Sequence, residues 1–179
     1  MIREKLINLL GNYSPSDEER LFYTQMLDFI RQEERCFERS LECGHMTASA
    51  WLLGHTGEEA LLLLHAKLNR WVQPGGHADG NSDLLSVAIQ EAQEESGITS
   101  IEPIFEQIFD IDIHEIPENP KEKAHVHYDV RFLLRVTSDA PLVQNRESKA
   151  MLFYPKEKKK LPTQDRSVVR LFDKWSLFS

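Results

Sequence analysis

The chain has 179 residues, of which 41% are hydrophobic and 28% are charged, a composition typical of a globular domain that buries its own core. Its formal net charge of −8 at pH 7 disfavours sequence-independent binding to a nucleic-acid polymer. Two cysteines are too few for a disulfide framework, and the longest apolar run, residues 60–64, is too short to span a bilayer. We therefore expect a cytoplasmic protein with no membrane partner.

The first predicted element is an amphipathic helix over residues 16–40, which Gly44 ends. Cys36, Cys43 and His45 could be considered as zinc ligands. Paired C-x-x-C spacing is missing, however, so a buried thiol is the favoured interpretation of Cys36.

Two strand-like runs follow, over residues 45–53 and 59–67, and the turn between them predicts a hairpin. Pro74-Gly75-Gly76 predicts a strong break in the chain. Trp51 and Trp71 could stack on a nucleotide base, although tryptophans in strand-like runs more often belong to the core.

A helix is predicted from Ser82, with Asn81 or Ser82 as its N-cap and Gly97 as its stop. Further along the chain, the pattern predicts strands over 101–116, 125–136 and 149–155 and a C-terminal helix over 163–178. The lysine-rich run at 156–160 is interpreted as a solvated loop, with an anion site as the alternative.

Strands thus dominate the middle of the chain, with one helix among them and one near each end. This order predicts an α/β fold: an α/β/α sandwich with a mixed sheet, plus an N-terminal helix. We expect a helical extension over residues 1–44 and a main domain over residues 45–179.

Three glutamates lie close together on the predicted central helix. On a helical wheel Glu91, Glu94 and Glu95 share one arc, and Glu95 borders the apolar stripe. Carboxylates so placed either take up a proton or bind a cation, and oxygen ligands suit Mg²⁺ or Mn²⁺. A solvated acidic face is the alternative. Gly75 and Gly76 would let a loop pass closely over the cluster.

The segment from Gly76 to Ile98 resembles the Nudix signature, G-x5-E-x7-R-E-U-x-E-E-x-G-U with U an aliphatic residue. The chain supplies the signature positions without a gap, namely Gly76, Glu91, Ala92, Glu94, Glu95, Gly97 and Ile98. Two positions depart from it: Ser82 replaces the first glutamate, and Gln90 replaces the arginine. Asp83 could take over part of the role of the first glutamate.

The resemblance implies a divalent-metal-dependent hydrolase that cleaves the pyrophosphate of a nucleoside diphosphate linked to another moiety. It implies Glu91 and Glu95 as principal ligands of Mg²⁺ or Mn²⁺, with Glu94 as a further ligand and the Gly76 carbonyl as an additional one. The general base is then a glutamate of the signature, such as Glu94, or a distant one, for which Glu147 is the candidate.

The substrate-binding candidates lie outside the glutamate helix. His77 could reach phosphate or metal, as could Asp79, although local turn hydrogen bonds would also explain both residues. His127 and Arg131 alternate along one predicted strand and share a face with His125 and Asp129, which either borders the site or faces solvent. Arg131 on that face could meet a phosphate.

Three functional interpretations remain at this point. The first is the hydrolase acting on a small nucleotide-type substrate. The second is a catalytically weak Nudix-like module that binds a nucleotide, which the Ser82 and Gln90 departures favour. The third treats the N-terminal helix as a docking element, so that a chain lacking residues 1–40 would still fold and catalyse. The sequence leaves a homodimer open.

Overall fold

A computed structural model describes residues 2–118, 123–146 and 148–178. Within these residues the helices are α1 (Glu4–Gly11), α2 (Arg20–Gln32), α3 (Leu84–Ser96) and α4 (Arg166–Leu177), with a 3₁₀ turn at Lys158–Lys160. The strands are β1 (Gly44–Leu53), β2 (Glu59–His65), β3 (Trp71–Val72), β4 (Gly75–His77), β5 (Ile101–Pro103), β6 (Asp110–Ile116), β7 (His125–Val136) and β8 (Ser148–Pro155). None of the described helices is long and apolar enough to cross a membrane.

The eight strands belong to one hydrogen-bonded sheet, in the order β3-β2-β1-β7-β5, with β4 on β1, β6 on β7 and β8 on β2. The chain forms two compact units, and β1, α3 and β7 each contribute residues to both. Unit 1 comprises Met1–Ser49, Gly75–Ala88 and Glu106–Phe132, and unit 2 comprises Ala50–Pro74, Ile89–Phe105 and Leu133–Ser179.

In unit 1 the N-terminal helices are part of the core. α2 packs on α1 and on β6, and the side chains of Leu6, Leu10, Met26 and Ile30 are almost fully buried. The buried carboxylate of Glu19 accepts hydrogen bonds from Ser16 Oγ at 2.6 Å, from the Ser16 backbone N–H and from the backbone N–H of Ile111 in β6. The start of α2 is thereby anchored to the sheet.

In unit 2 the core is built around tryptophan. Trp51 and Trp175 are buried, and their ring centroids lie 5.9 Å apart. Trp71 meets Tyr154 edge to face at 5.5 Å. The structure thus places Trp51 in the core, as its strand-like surroundings indicated.

The N-terminal prediction was only partly right. The helix predicted over 16–40 is confined to α2, and α1 was not predicted. Cys36 lies beyond α2, where its carbonyl accepts a 2.7 Å hydrogen bond from the Met46 N–H. Burial raises the pKa of the Cys36 thiol to about 11, while Cys43 is exposed. Beyond α2 the N–H groups of Cys36 and Glu38 donate to the carbonyls of Glu33 and Arg35, three residues back, so this segment forms turns and does not continue the helix.

Two strand predictions also needed correction. β4 begins inside the break expected at Pro74-Gly75-Gly76, because Gly75, Gly76 and His77 pair with residues of β1. The strand predicted over 101–116 is two strands, β5 and β6, which pair with different parts of β7. Periodicity along one segment does not show where its pairing with a partner strand is interrupted.

Candidate functional site

The glutamates of α3 differ in exposure along the helix. Glu95 is 6% exposed, Glu91 is half-buried and Glu94 is exposed. This order agrees with the helical wheel, which placed Glu95 at the edge of the apolar stripe. Gln90, the residue at the arginine position of the signature, donates a 2.8 Å hydrogen bond from Nε2 to Oε1 of Glu94.

Both ends of α3 are fixed by local contacts. Asp83 precedes the helix, and its carboxylate faces the Ser86 N–H at 3.4 Å, while Asn81 Oδ1 accepts from the Asp83 N–H at 2.9 Å. The residue next to the helix is therefore Asp83, one or two residues beyond the predicted cap. At the other end Gly97 has a φ of +72°, the left-handed conformation in which glycine commonly ends a helix.

Asp83 also has a partner from α1. Lys5 Nζ lies 2.7 Å from its Oδ2, and this hydrogen bond, outweighing partial burial, lowers the pKa of Asp83. The residue beside the missing first glutamate of the signature is thus already engaged with a lysine.

A second group of side chains, all in unit 1, consists of imidazoles. Five of the seven histidines of the chain form this histidine cluster, His45, His77, His114, His125 and His127. They come from four strands: β1, β4, β6 and β7. The ring of His127 is central, with centroids 4.9 Å from His45 and His77, 5.0 Å from His125 and 5.3 Å from His114.

Hydrogen bonds orient the cluster from β7. His125 Nδ1 lies 2.8 Å from the carbonyl oxygen of Lys123, so this nitrogen carries the proton. His125 Nε2 lies 3.2 Å from His127 Nε2. Burial, followed by the neighbouring imidazoles, lowers the pKa of His127 to about 2. The ring is therefore neutral across the physiological range.

Arg131 lies further along the same face of β7, in an acidic cage formed by Asp110, Asp112 and Asp129. Its guanidinium nitrogens lie 3.2, 3.1 and 2.8 Å from those carboxylates, and 2% of its side chain is exposed. Burial works against the charged form, but the three carboxylates outweigh it and raise the pKa of Arg131.

Hydroxyls complete the acidic cage from β1. Thr47 Oγ1 donates to Asp129 Oδ1 at 2.8 Å, and Ser49 Oγ donates to Asp129 Oδ2 at 2.7 Å. These contacts give Arg131 a structural role, and phosphate binding by this residue stays a prediction.

A cavity of about 270 Å³ adjoins the histidine cluster. Its walls are the segment 39–42 together with His45, Lys123 and His125. Arg39 also pairs with Asp79 at 2.8 Å and contacts Nδ1 of His77. Arg39 thus contacts both His77 and Asp79, the two residues for which local hydrogen bonding and a role in a site were the predicted alternatives.

The predicted site residues lie as follows. His77 and His127 lie together in the histidine cluster, whereas Arg131 lies in the acidic cage; these residues and Gly76 belong to unit 1. Glu91, Glu94 and Glu95 belong to unit 2. Glu147 lies outside the described residues.

Sequence reasoning missed several polar residues of the sheet. Asp110, Asp112 and His114 alternate in the run DIDIH, a period-2 signal that places them on one face of a strand. His45 was considered only together with the cysteines, and its position in β1 brings it to His77 and His127 instead.

No protein-family model and no curated protein matches the sequence. Solved structures do match. A Nudix-family hydrolase from Clostridium perfringens is 25% identical, with a TM-score of 0.54, over 75% of this chain and 98% of the other. An Ap4A hydrolase from C. elegans, in a binary complex, is 20% identical, with a TM-score of 0.58, over 74% of this chain and 96% of the other.

A UDP-X diphosphatase covers 97% of this chain and 91% of its own length, at 12% identity and a TM-score of 0.54. These similarities bear on the fold, and they confirm the α/β class with a mixed sheet and helices that the strand and helix order predicted. The chain has the Nudix fold, as the signature from Gly76 to Ile98 indicated.

Proposed function

We propose that the protein is a divalent-metal-dependent hydrolase that cleaves the pyrophosphate of a nucleoside diphosphate linked to another moiety. The observation that carries this proposal is the position of Glu95, a residue that is 6% exposed and lies one helical turn after Glu91. The cost of burying a carboxylate is offset by hydrogen bonds, by a proton or by a bound cation. In a chain with the Nudix fold, two carboxylates one helical turn apart support the cation.

The donor set of α3 fits a hard cation. Glu91 and Glu95 offer carboxylate oxygens one turn apart, and Glu94 lies on the same arc. Carboxylate oxygens are the ligands that Mg²⁺ and Mn²⁺ prefer. We assign Glu91 and Glu95 as the residues that would hold the ion and Glu94 as a further ligand or general base. A divalent ion there supplies charge neutralisation and a bound water of lowered pKa.

The remaining roles follow the same proposal. His77 and His127 would contact the substrate, because an imidazole N–H can donate a hydrogen bond to a phosphate oxygen. The Gly76 carbonyl as a ligand and Glu147 as an alternative base stay predictions.

A substrate panel tests the proposal. The protein is incubated with Mg²⁺ or Mn²⁺ and with dinucleoside polyphosphates such as Ap4A, UDP-linked sugars and nucleoside triphosphates, and the products are separated by ion-exchange chromatography. We expect metal-dependent cleavage within a pyrophosphate linkage of at least one class. Absence of turnover throughout the panel, with either metal, would refute the hydrolase.

One contact favours the second interpretation, a catalytically weak nucleotide-binding module. Gln90 donates a 2.8 Å hydrogen bond to Oε1 of Glu94, so a neutral amide contacts this carboxylate from the position where the signature has a charged arginine. Binding of nucleotides from the same panel, measured by calorimetry, without any turnover would support the module.

A further inference from the structure

We propose that His45, His77 and His127 form a binding site for a transition-metal ion of the Zn²⁺ type, separate from the glutamates of α3. Each of these histidines offers one ring nitrogen, and the three nitrogens lie within 4.8 Å of one another. Among the described residues, this is the group of three or more His, Cys, Asp or Glu side chains whose ligand atoms lie close enough together to hold one ion.

The spacing is close to that of a bound ion. Two nitrogens that ligate one Zn²⁺ at about 2.0–2.1 Å in tetrahedral geometry lie about 3.4 Å apart. Side-chain rotations that move the ring nitrogens by about an ångström would bring them to that distance. The backbone already holds them in place, because β4 is paired with β1 at Thr47 and His77, two residues from His45.

The chemistry of the donors selects the ion. Neutral imidazoles suit Zn²⁺, Co²⁺, Ni²⁺ or Cu²⁺, whereas Mg²⁺ prefers the oxygen ligands of the glutamates. Three histidines leave a fourth position for water or an anionic oxygen, as in zinc sites that are open to substrate. Substrate contact through such an ion would rest on the proposed function, but the binding of the ion would not.

The surroundings of His127 resemble those of a metal ligand. A ligating histidine normally donates its second ring N–H to a fixed acceptor. With the His125 Nδ1 proton directed to the Lys123 carbonyl, His125 Nε2 is the acceptor for the Nε2 proton of His127. This arrangement leaves the His127 Nδ1 lone pair for an ion.

The local charge also favours a cation. The acidic cage next to the cluster places three carboxylates around the single guanidinium of Arg131. One carboxylate of the cage, that of Asp112, lies 3.4 Å from the ring of His114, itself a neighbour of His127. The cavity described above is lined by one of the three proposed ligands, His45, together with His125.

Arg39 is the competitor of the ion. A guanidinium only donates, so its contact with His77 Nδ1 uses the lone pair of that nitrogen. An ion at His77 would displace this contact, and Arg39, half-exposed, could keep its pair with Asp79. Removal of the guanidinium should therefore tighten metal binding.

Metal titration of the full chain tests the proposal. Chelator-treated protein is titrated with ZnCl₂ by calorimetry and with CoCl₂ by visible spectroscopy. We expect one equivalent of Zn²⁺ to bind and one equivalent of Co²⁺ to give the intense absorption of a tetrahedral nitrogen site. His45→Gln, His77→Gln and His127→Gln should each weaken Zn²⁺ binding at least tenfold. The exposed His55→Gln should leave it unchanged.

Two further variants keep the result interpretable. Arg39→Ala should bind Zn²⁺ more tightly than the unmodified chain, and Glu95→Gln should bind it equally well, which separates this site from the proposed hydrolase site. If a histidine variant fails to fold, X-ray absorption of the unmodified Zn²⁺ protein decides, with three imidazole ligands expected. No stoichiometric Zn²⁺ binding, binding untouched by the folded histidine variants, or a zinc shell without imidazoles would overturn the proposal.

Discussion

Gly75 lies directly opposite Ser49 in the β1–β4 pair. A Cβ at Gly75 would stand 2.9 Å from the Ser49 Cα and from the Ala48 carbonyl oxygen, and closer still to the Ser49 hydroxyl. That hydroxyl donates to Asp129. Because Gly75 has no side chain, the Ser49 hydroxyl has room to make this hydrogen bond of the acidic cage.

Gly75→Ala should destabilise the fold by about 1–3 kcal/mol, because either the strand pair or the Ser49 hydroxyl must shift. Gly11→Ala is the matched control, since nothing lies within 4 Å of a Cβ there and the residue ends α1. Urea unfolding of both variants measures the difference. Equal stability of the two would contradict the close approach at Gly75.

Arg131→Met should be more costly, by about 3–5 kcal/mol, because it leaves three buried carboxylates without their cation. Arg135→Met, an exposed position on the same strand, should stay within about 0.5 kcal/mol. Chemical denaturation of both variants makes the comparison. A mild effect at Arg131 would show that the cage does not depend on the guanidinium.

Leu10→Ala tests whether the N-terminal helices belong to the folded body. The side chain is fully buried, so we expect a loss of about 2–5 kcal/mol. Leu21→Ala, at 64% exposure in α2, should change the free energy of unfolding by less than about 0.5 kcal/mol. If both substitutions are neutral, the docking-element interpretation, in which residues 1–40 can be deleted, regains support.

Glu95→Gln should reduce turnover by orders of magnitude while the fold persists, because it removes a ligand charge with little change of shape. The exposed Glu102→Gln on β5 is the control and should be fully active. Initial rates at saturating Mg²⁺ or Mn²⁺ give the comparison, with circular dichroism for the fold. A Glu95→Gln variant of near-normal rate would remove this residue from the proposed metal site.

Lys5→Met should return the pKa of Asp83 towards its ordinary value, because the hydrogen bond from Lys5 is the main cause of its depression. A carboxyl group with a depressed folded pKa stabilises the fold above its unfolded pKa, about pH 4, and this stability is lost as the pH falls through the folded pKa. The pair is largely exposed, so the effect at pH 7 should not exceed about 0.5 kcal/mol.

The check on the Asp83 prediction is a carbon-detected NMR titration, combined with unfolding at pH 7 and pH 3. The stability difference between the unmodified chain and Lys5→Met should be present at pH 7 and shrink at pH 3. Lys67→Met, another exposed lysine, should leave the Asp83 titration unchanged. An Asp83 pKa that is the same in Lys5→Met as in the unmodified chain would contradict the ion pair.

The elements that sequence predicted well are those whose pattern is local. α3 carries its apolar stripe, its preceding polar residues and its terminal glycine within a short segment, and β7 alternates polar and apolar residues along its first half. β4 and the division between β5 and β6 were missed, because each is defined by its pairing with a distant strand.

The polar sites divide in the same way. The exposure of Glu95 relative to Glu94 could be derived from the helical period alone. The histidine cluster could not, since its rings come from four strands, and the partners of Arg131 come from β6 as well as its own strand. Only the register of β6 on β7, with Asp110 opposite Arg131, brings them together.

The tryptophans Trp51, Trp71 and Trp175 all belong to unit 2, and the five rings of the histidine cluster all belong to unit 1. Intrinsic fluorescence therefore follows the unfolding of unit 2, while the imidazole proton resonances of the cluster follow that of unit 1. Coincident transitions from the two signals would mark a single cooperative transition, and separate ones would resolve two melting events without any added label.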